Sequence, residues 1–504
     1  MSDELLLGVD VGTATTKGVL TTPIGEVVAQ HEVEHELSIP RAGWAEHDAE
    51  SAWWGDFVAI CGELLTGRRP GAVKAVGVSG IGPCFVPADH DGRALRPAIL
   101  YGIDTRAAAE IAELDDRLGR ERIVQQTGSA LTSQAVGPKL LWYRRNEPDR
   151  YRRTRYVLPA SSLLVQRLTG EYVIDRHTAS GFNPLYDVGA GEWIDDWAGA
   201  VLGEDGPPLP RLLWATEAAG EVSAAGAEAT GLAPGTPVAA GTIDAAAEAL
   251  SVGVREPGDL MLMYGSTMFL ILVVDRPQPD PRVWGTQYVI PGTANIAAGM
   301  ATSGVLTAWF RDLLGGDGRA PSYQDLVDAA GDVPAGAEGL VCLPYFSGER
   351  TPIHDPDARG VLAGLTLRHG RGHIYRALLE ATAYAVRHNL ETIDDIGAEV
   401  RRAVEVGGGT RSDLWPQIVA DVTGVDQEVP GVTVGAALGD CMLAGIAVGL
   451  VTLDAAWNPI ERTIAAAPES TRRYDELYGV YRELYPATRA QMHALARLGT
   501  GAPE

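Results

Sequence analysis

At 504 residues, 46% hydrophobic and 21% charged, the chain can bury more than one core, so two large domains are expected and wholesale disorder is excluded. A formal net charge of −25 argues against nucleic acid or an anionic membrane as partner, because a phosphate backbone needs a basic footprint. Cys61, Cys84, Cys342 and Cys441 are scattered, with no CxxC and no His/Cys cluster at metal spacing, and the opening Met-Ser-Asp-Glu lacks the basic region of a signal peptide, so a reduced cytoplasm is the expected compartment.

The first element is the stretch Leu5 to Lys17. An apolar run reaches Asp10, breaks into Gly12, Thr13, Thr15, Thr16 and Lys17, and resumes at Gly18-Val19-Leu20, which reads as strand, tight polar turn, strand. Such a turn offers a polyphosphate free backbone N–H groups, hydroxyls, one cation and a carboxylate for a metal. An ordinary hairpin with a polar turn is the plainer reading. Glu26 to Leu37 supplies a third antiparallel strand, and Asp48 or Ser51 caps an apolar helix through Leu65. Val73 to Val78 is a short buried strand stopping at Ser79-Gly80-Ile81-Gly82-Pro83, the kind of glycine-rich strand end where α/β proteins place ligands.

Further on, an apolar run from Pro97 ends in Asp104 and Arg106, which point to one side if extended and could bond neighbouring hydroxyls, or could form a local surface pair. Helices are expected from Lys139 and over Val157 to Leu168, ended by Gly170. None of the histidines has a convincing partner in the sequence, and all read as structural or surface residues. Val238 to Asp244 is a strand with a carboxylate at its exit, followed by an alanine-rich helix. A carboxylate there can take a proton from an attacking hydroxyl beside a metal-bound phosphate, or cap the helix, or both.

The second half repeats the pattern. Asp259 to Asp275 is again strand, turn (Gly265, Ser266, Thr267) and strand, without the acid and lysine of the first hairpin. Two such hairpins suggest a duplicated fold whose halves face each other across a cleft. Ile374 to Ile396 carries a helical apolar stripe. A strand ending in Gly407, Gly408 and Gly409 leads to a helix onset at Ser412 or Asp413, where backbone can lie against a flat ligand. The apolar stretch Val432 to Val451, interrupted by Asp440 and four glycines, reads as a buried small-residue helix on a sheet rather than a membrane span.

Taken together, these motifs resemble the FGGY family of carbohydrate kinases, over nearly the whole chain. Asp10-x-Gly12-Thr13-x-x-x-Lys17 is similar to the family's first phosphate motif, Gly241-x-x-Asp244 to the segment of its catalytic aspartate, and Gly265-Ser266-Thr267 to its second phosphate turn. Ser303-Gly304 with Trp309 to Asp312 resembles its nucleotide-side helix, and the triple glycine its adenosine loop. The most specific run is Leu343-Pro-Tyr-Phe-Ser-Gly-Glu-Arg-Thr-Pro352, similar to xylulokinase-like and gluconokinase-like members.

The resemblance implies an α/β fold of two actin-like (ribonuclease H-like) domains, drawn here at 1–243 for sugar and phosphate and 244–504 for nucleotide. It implies a cytoplasmic kinase that uses ATP and Mg²⁺ to phosphorylate a terminal sugar hydroxyl, a ketopentose such as xylulose being the first expectation, with a homodimer as a guess. Asp244 would be the base and Asp10 would help hold Mg²⁺. Gly12, Thr13, Thr15, Thr16, Lys17, Gly265, Ser266, Thr267, Ser303, Gly304, Gly408, Gly409 and Ser412 would line the nucleotide; Lys17 could instead hold the strand pair. Ser79, Ile81, Gly82, Pro83, Tyr101, Asp104, Arg106 and Asp244 would meet the acceptor. The acceptor wall departs from xylulokinases at Ile81–Cys84, Gly102 and Ala245, which suggests a less polar or differently shaped acceptor than D-xylulose. An actin-like protein that uses ATP to grip a partner, and a sugar sensor without turnover, are the competing readings.

Overall fold

The computed structural model describes residues 4–69, 71–316, 318–432 and 434–499. The chain divides into two compact units, one of Met1–Pro257, Val273–Asn295 and Val434–Asn458, the other of Gly258–Leu272, Ile296–Thr433 and Pro459–Glu504.

In the first unit the opening run forms β1 (Leu5–Val11), buried except for a half-exposed Asp10, and turns into β2 (Thr15–Thr21) with Asp10 opposite Lys17 and Val11 opposite Thr16. β3 (Val27–Glu34) adds the expected third antiparallel strand. After the short β4 (Glu46–His47), Asp48 caps a π-helical stretch, Ala49–Gly55, that continues as α1 (Asp56–Leu64). β5 (Val73–Gly80) lies parallel to β1, with Ser79 beside Asp10.

The helix expected from Lys139 starts earlier, as α2 (Val136–Asn146). The segment expected to be helical from Val157 opens instead as a strand, Tyr156–Leu158, because Pro159 disfavours helical backbone before it; helix α3 (Ala160–Thr169) follows and Gly170 closes it at a φ of +83°. With β6 (Ala218–Glu221), β7 (Pro237–Ala239) and β8 (Thr242–Ile243) the sheet runs β6-β7-β5-β1-β2-β3, and β8 also pairs with β5. Helix α4 (Asp244–Ser251) leaves directly from β8.

The second unit is built on the same plan. β9 (Asp259–Tyr264) and β10 (Met268–Val274) form an antiparallel hairpin. With β11 (Ala294–Met300), β12 (Arg402–Val406), β13 (Gln427–Pro430) and β14 (Ile460–Ile464), the strands run β11-β10-β9-β12-β13-β14, with β12 parallel to β9. Helix α5 (Gly304–Gly315) starts beside the hairpin turn. The apolar stripe anticipated over Ile374 to Ile396 is the packing face of α6 (Arg371–Asp395), where Leu378, Ala381, Ala385, Val386 and Ile393 are buried. α7 (Leu414–Thr423) follows the triple glycine.

The late apolar stretch returns to the first unit as α8 (Ala436–Ala447), buried over most of its length, and no described helix is long and apolar enough to cross a membrane. Glycine lets α8 approach closely: a Cβ on Gly8 would stand 2.1 Å from the Ala437 carbonyl oxygen, and one on Gly77 2.0 Å from that of Asp440. Both are below any real Cβ contact, so backbone packs on backbone and Asp440 is carried to the sheet.

Candidate active site

The site of the first unit forms where β1, β5 and β8 end together. Asp10 and Thr242 flank Ser79 on either side, in register. Asp244 then enters α4 in its first turn, with Ile243 as the extended residue before it, and its Oδ1 accepts the Ala245 N–H at 2.7 Å. It therefore sits one residue inside the capping position. The sheet thus carries Asp10 and Asp244, both half-buried, to the same end, either side of the central strand.

Around them the carboxyl groups outnumber the cations. Burial raises Asp10 to about 6, opposed by the Ser79 hydroxyl and by Lys17. Asp244 is held well above the usual carboxylate range by burial and by the neighbouring Asp10, and one turn along α4 Glu248 is raised to about 7 by the same two causes. Asp440 on α8, fully buried, is likewise raised, and its Oδ1 has no hydrogen-bond partner. An all-oxygen cluster of this kind fits a hard divalent cation. Among the described residues no three metal-binding side chains converge.

Several expected contributors point elsewhere. Thr16 is fully buried and its hydroxyl donates to Asp56, since alternation along β2 sends it to the opposite face from Thr15 and Lys17; it is not a phosphate ligand. The Ser79 hydroxyl, also buried, spans Asp440 at 2.8 Å and Asp10 at 3.1 Å, so it orients Asp10 instead of meeting an acceptor. Ile81 is in the core, whereas Gly82 adjoins Ile243 and Pro83 adjoins Gly181, at the approach to Asp244. Asp104 and Arg106 do pair, in the interior rather than at the surface. Arg106 donates to both carboxylate oxygens, Asp104 also accepts the Ala45 N–H at 2.7 Å, and Trp44 covers the guanidinium. Their polar atoms are committed to holding the 100–106 loop. Lys17 faces Asp10 on one side and Glu32 on the other, with 4.0 Å to the Glu32 carboxylate.

Contacts with no signature in the sequence complete the site. The turn between β1 and β2 is closed by the Gly12 N–H donating to the Thr15 carbonyl at 2.8 Å. His35 and His47, read as structural or surface residues, contact the carbonyls of Gly12 and Thr13. Tyr101 reaches the Thr13 hydroxyl at 3.0 Å. Lys139 is buried on α2 and donates to the carbonyls of Leu100 and Ser133, and burial pushes its ammonium down to about 7.

In the second unit Gly265, Ser266 and Thr267 form the turn between β9 and β10, with Ser266 exposed. The Gly304 N–H donates to the Gly265 carbonyl at 3.0 Å, and a Cβ there would lie 2.5 Å from that oxygen. Ser303 is buried and its hydroxyl has no partner, so its backbone rather than its side chain serves the turn. Gly408 is exposed, Gly409 rests against Tyr264 and Trp415, and the Ser412 hydroxyl accepts the Leu414 N–H at the start of α7.

Two family profiles match the chain: the FGGY family of carbohydrate kinases, N-terminal domain, over residues 5–251, and its C-terminal domain over residues 260–448. The chain is 33% identical to a xylulose kinase of Escherichia coli (strain K12), covering 88% of this chain and 90% of that one. It is 30% identical to a glycerol kinase of Streptomyces avermitilis, covering 91% and 90%. The crystal structure of a xylulose kinase from Rhodospirillum rubrum superposes with a TM-score of 0.89 at 34% identity, covering 97% of this chain and all of that one.

Proposed function

Because the chain belongs to the FGGY family of carbohydrate kinases, and is therefore a sugar kinase, we propose that it transfers the γ-phosphoryl group of ATP to a terminal hydroxyl of a ketopentose such as xylulose, or of a related ketose or polyol. The observation that carries the reading is the pair Asp10 and Asp244, brought to one sheet end by the two strands that flank β5, with both carboxyls displaced upward. A carboxyl with raised proton affinity suits proton transfer, and converging carboxylate oxygens at a strand end suit a hard cation.

Asp244 is the proposed base. A carboxylate held above its ordinary range binds a proton more tightly, so once ionised it accepts the acceptor hydroxyl's proton as that oxygen attacks phosphorus. Its Oδ1 is fixed by the Ala245 N–H, which leaves Oδ2 for the acceptor. Asp10, oriented by Ser79, would hold Mg²⁺, which when bound with the triphosphate offsets negative charge at the transferring group. Gly12, Thr13 and Thr15 are assigned to phosphate in the first unit, and Gly265, Ser266, Thr267, Gly408, Gly409 and Ser412 to the nucleotide in the second.

The acceptor class rests on Gly82, Pro83, Tyr101 and Ala245, a wall with one hydroxyl and few amides. A coupled assay of ADP release over pentuloses, hexuloses, alditols and aldonates tests it. Turnover on a ketopentose is the expected result. Activity on D-xylulose alone would show that the altered wall does not change the acceptor. Sugar-independent ATP hydrolysis, with no phosphorylated product, would favour the partner-gripping alternative and remove the kinase assignment.

A further inference from the structure

We infer that His35 and His47 are positioning residues for the phosphate turn: by holding the carbonyls of Gly12 and Thr13, they turn the N–H groups of Thr13 and Ala14 outward as a ready-made cradle for the ATP phosphates. The inference rests on the kinase reading above and extends it to two residues outside its motifs.

The geometry is that of the peptide plane. In a trans peptide the carbonyl points opposite to the N–H of the next residue, so fixing one fixes the other. His35 Nε2 lies 3.2 Å from the Gly12 oxygen and His47 Nε2 lies 3.1 Å from the Thr13 oxygen. The N–H groups of Thr13 and Ala14 therefore point away from both rings. Among the described residues no hydrogen bond takes either of them, and Ala14 is exposed. Two consecutive free N–H groups in a tight turn form an anion-binding concavity.

Both rings are themselves held. Trp53 Nε1–H can only donate, and it meets His47 Nδ1 at 3.1 Å, so the hydrogen of the His47 ring sits on Nε2 and faces the Thr13 carbonyl. Burial and the neighbouring His35 push His47 down to about 4, which keeps this ring neutral and its tautomer constant at physiological pH. His35 Nδ1 meets the Asp56 carboxylate at 2.8 Å, so each of its nitrogens faces an acceptor; Asp56 also takes the Thr16 hydroxyl. The two imidazoles pack edge to face, 5.0 Å between centroids, and His47 is fully buried.

The same chain solves the same problem twice. In the second turn the carbonyls of Gly265 and Ser266 are also tied back, by the N–H groups of Ser303, Gly304 and Val305 at the start of α5, at 3.0–3.2 Å. At the first turn the corresponding carbonyls are met instead by two side chains, His35 just after β3 and His47 on β4.

The test is equilibrium binding of a non-hydrolysable ATP analogue, AMP-PNP, and of adenosine to the full chain. In His47→Leu, with folding checked by calorimetry, AMP-PNP affinity should fall about tenfold, as expected for a buried carbonyl losing its donor and the N–H groups behind it losing their aim, while adenosine affinity holds. His47→Gln, whose amide can both accept from Trp53 and donate to Thr13, should restore most of it. Equal losses for AMP-PNP and adenosine, or no loss in a folded His47→Leu, would overturn the inference. Should that variant not fold, the wild-type chain decides: the amide NMR signals of Thr13 and Ala14 should shift on adding AMP-PNP with Mg²⁺, and unmoved signals would sink it. Because these readouts need no acceptor, a failure of the sugar kinase reading leaves them interpretable.

Discussion

The two hairpins of this protein share a backbone and differ in charge. In both, a strand leads into a tight Gly/hydroxyl turn, its neighbour returns antiparallel, and a parallel strand flanks it on the other side. Counting back from each turn, Asp10 and Lys17 in the first hairpin occupy the register of Met263 and Phe269 in the second, and Ser79 on the flanking strand occupies that of Val406. A duplicated fold thus reproduces the hairpin-and-turn backbone in both units but places the carboxylates and their hydroxyl in one. The lesson is that the backbone of a turn can be copied without the charged side chains around it, so on the proposed function the metal and proton chemistry belongs to a single copy.

The sharpest way to break that asymmetry is at Asp244, the carboxylate that joins Asp10 at the sheet end of the first unit. Asp244→Ala should lower kcat by about 10³-fold, within the range for loss of a general base, and leave AMP-PNP affinity nearly unchanged. Stopped-time assays with calorimetric binding check both parts. An Asp244→Ala enzyme with near-normal turnover would remove Asp244 from the role of base.

Next in size is Asp10→Met, which gives the first hairpin the residue of the second. Turnover should fall about 10²-fold and the Mg²⁺ concentration for half-maximal activity should rise, while the hairpin stays folded because Met263 is already accommodated at the matching position. A Mg²⁺ titration that superposes on wild type would show that Asp10 is not the carboxylate concerned. A smaller effect, about tenfold in kcat, is expected for Ser79→Ala, since the hydroxyl only orients Asp10. A change confined to the KM of the acceptor would instead return Ser79 to the sugar site.

The parts of this site that could be read in the sequence are those written locally. An apolar run broken by Asp, Gly and Thr gives a hairpin with a polar turn, and a strand ending in Asp before an alanine-rich helix gives a carboxylate at a sheet end. Thr16 was also decidable, because alternation along β2 cannot aim Thr15 and Thr16 at one ligand. The inward turn of Asp104 and Arg106 was not, since it depends on the Ala45 N–H and Trp44, about sixty residues earlier. Nor were His35 and His47, whose partners are backbone carbonyls 23 and 34 residues away, and a carbonyl leaves no trace in residue type. Asp440 lay between: a lone acid in a buried helix is visible, but its contact with Ser79 crosses 361 residues.

The second unit has a buried acid of its own, and it serves to sharpen the comparison from the side of stability. Glu405 lies on β12, opposite Leu262, 1% exposed, with neither carboxylate oxygen hydrogen-bonded. Burial, opposed by Arg462, raises it to about 8 from an ordinary 4.5. The folded state therefore binds this proton more tightly than the unfolded chain does. The stability so gained is fully present below pH 4.5 and drains away as pH rises to 8, on the order of a few kcal/mol in all. Glu349, raised to about 7 by burial, acts in the same direction. Glu405→Gln removes the ionisation while keeping the shape, so it should melt a few degrees above wild type at pH 8, match it near pH 4.5, and leave kcat unchanged. The acids of the first unit carry a comparable penalty, but there Asp10 and Asp244 are half-exposed at the sheet end, where a cation or a substrate proton can offset it. Melting curves of Glu405→Gln and wild type that run parallel from pH 5 to 8 would mean that Glu405 is compensated too, and that uncompensated burial does not separate the two units.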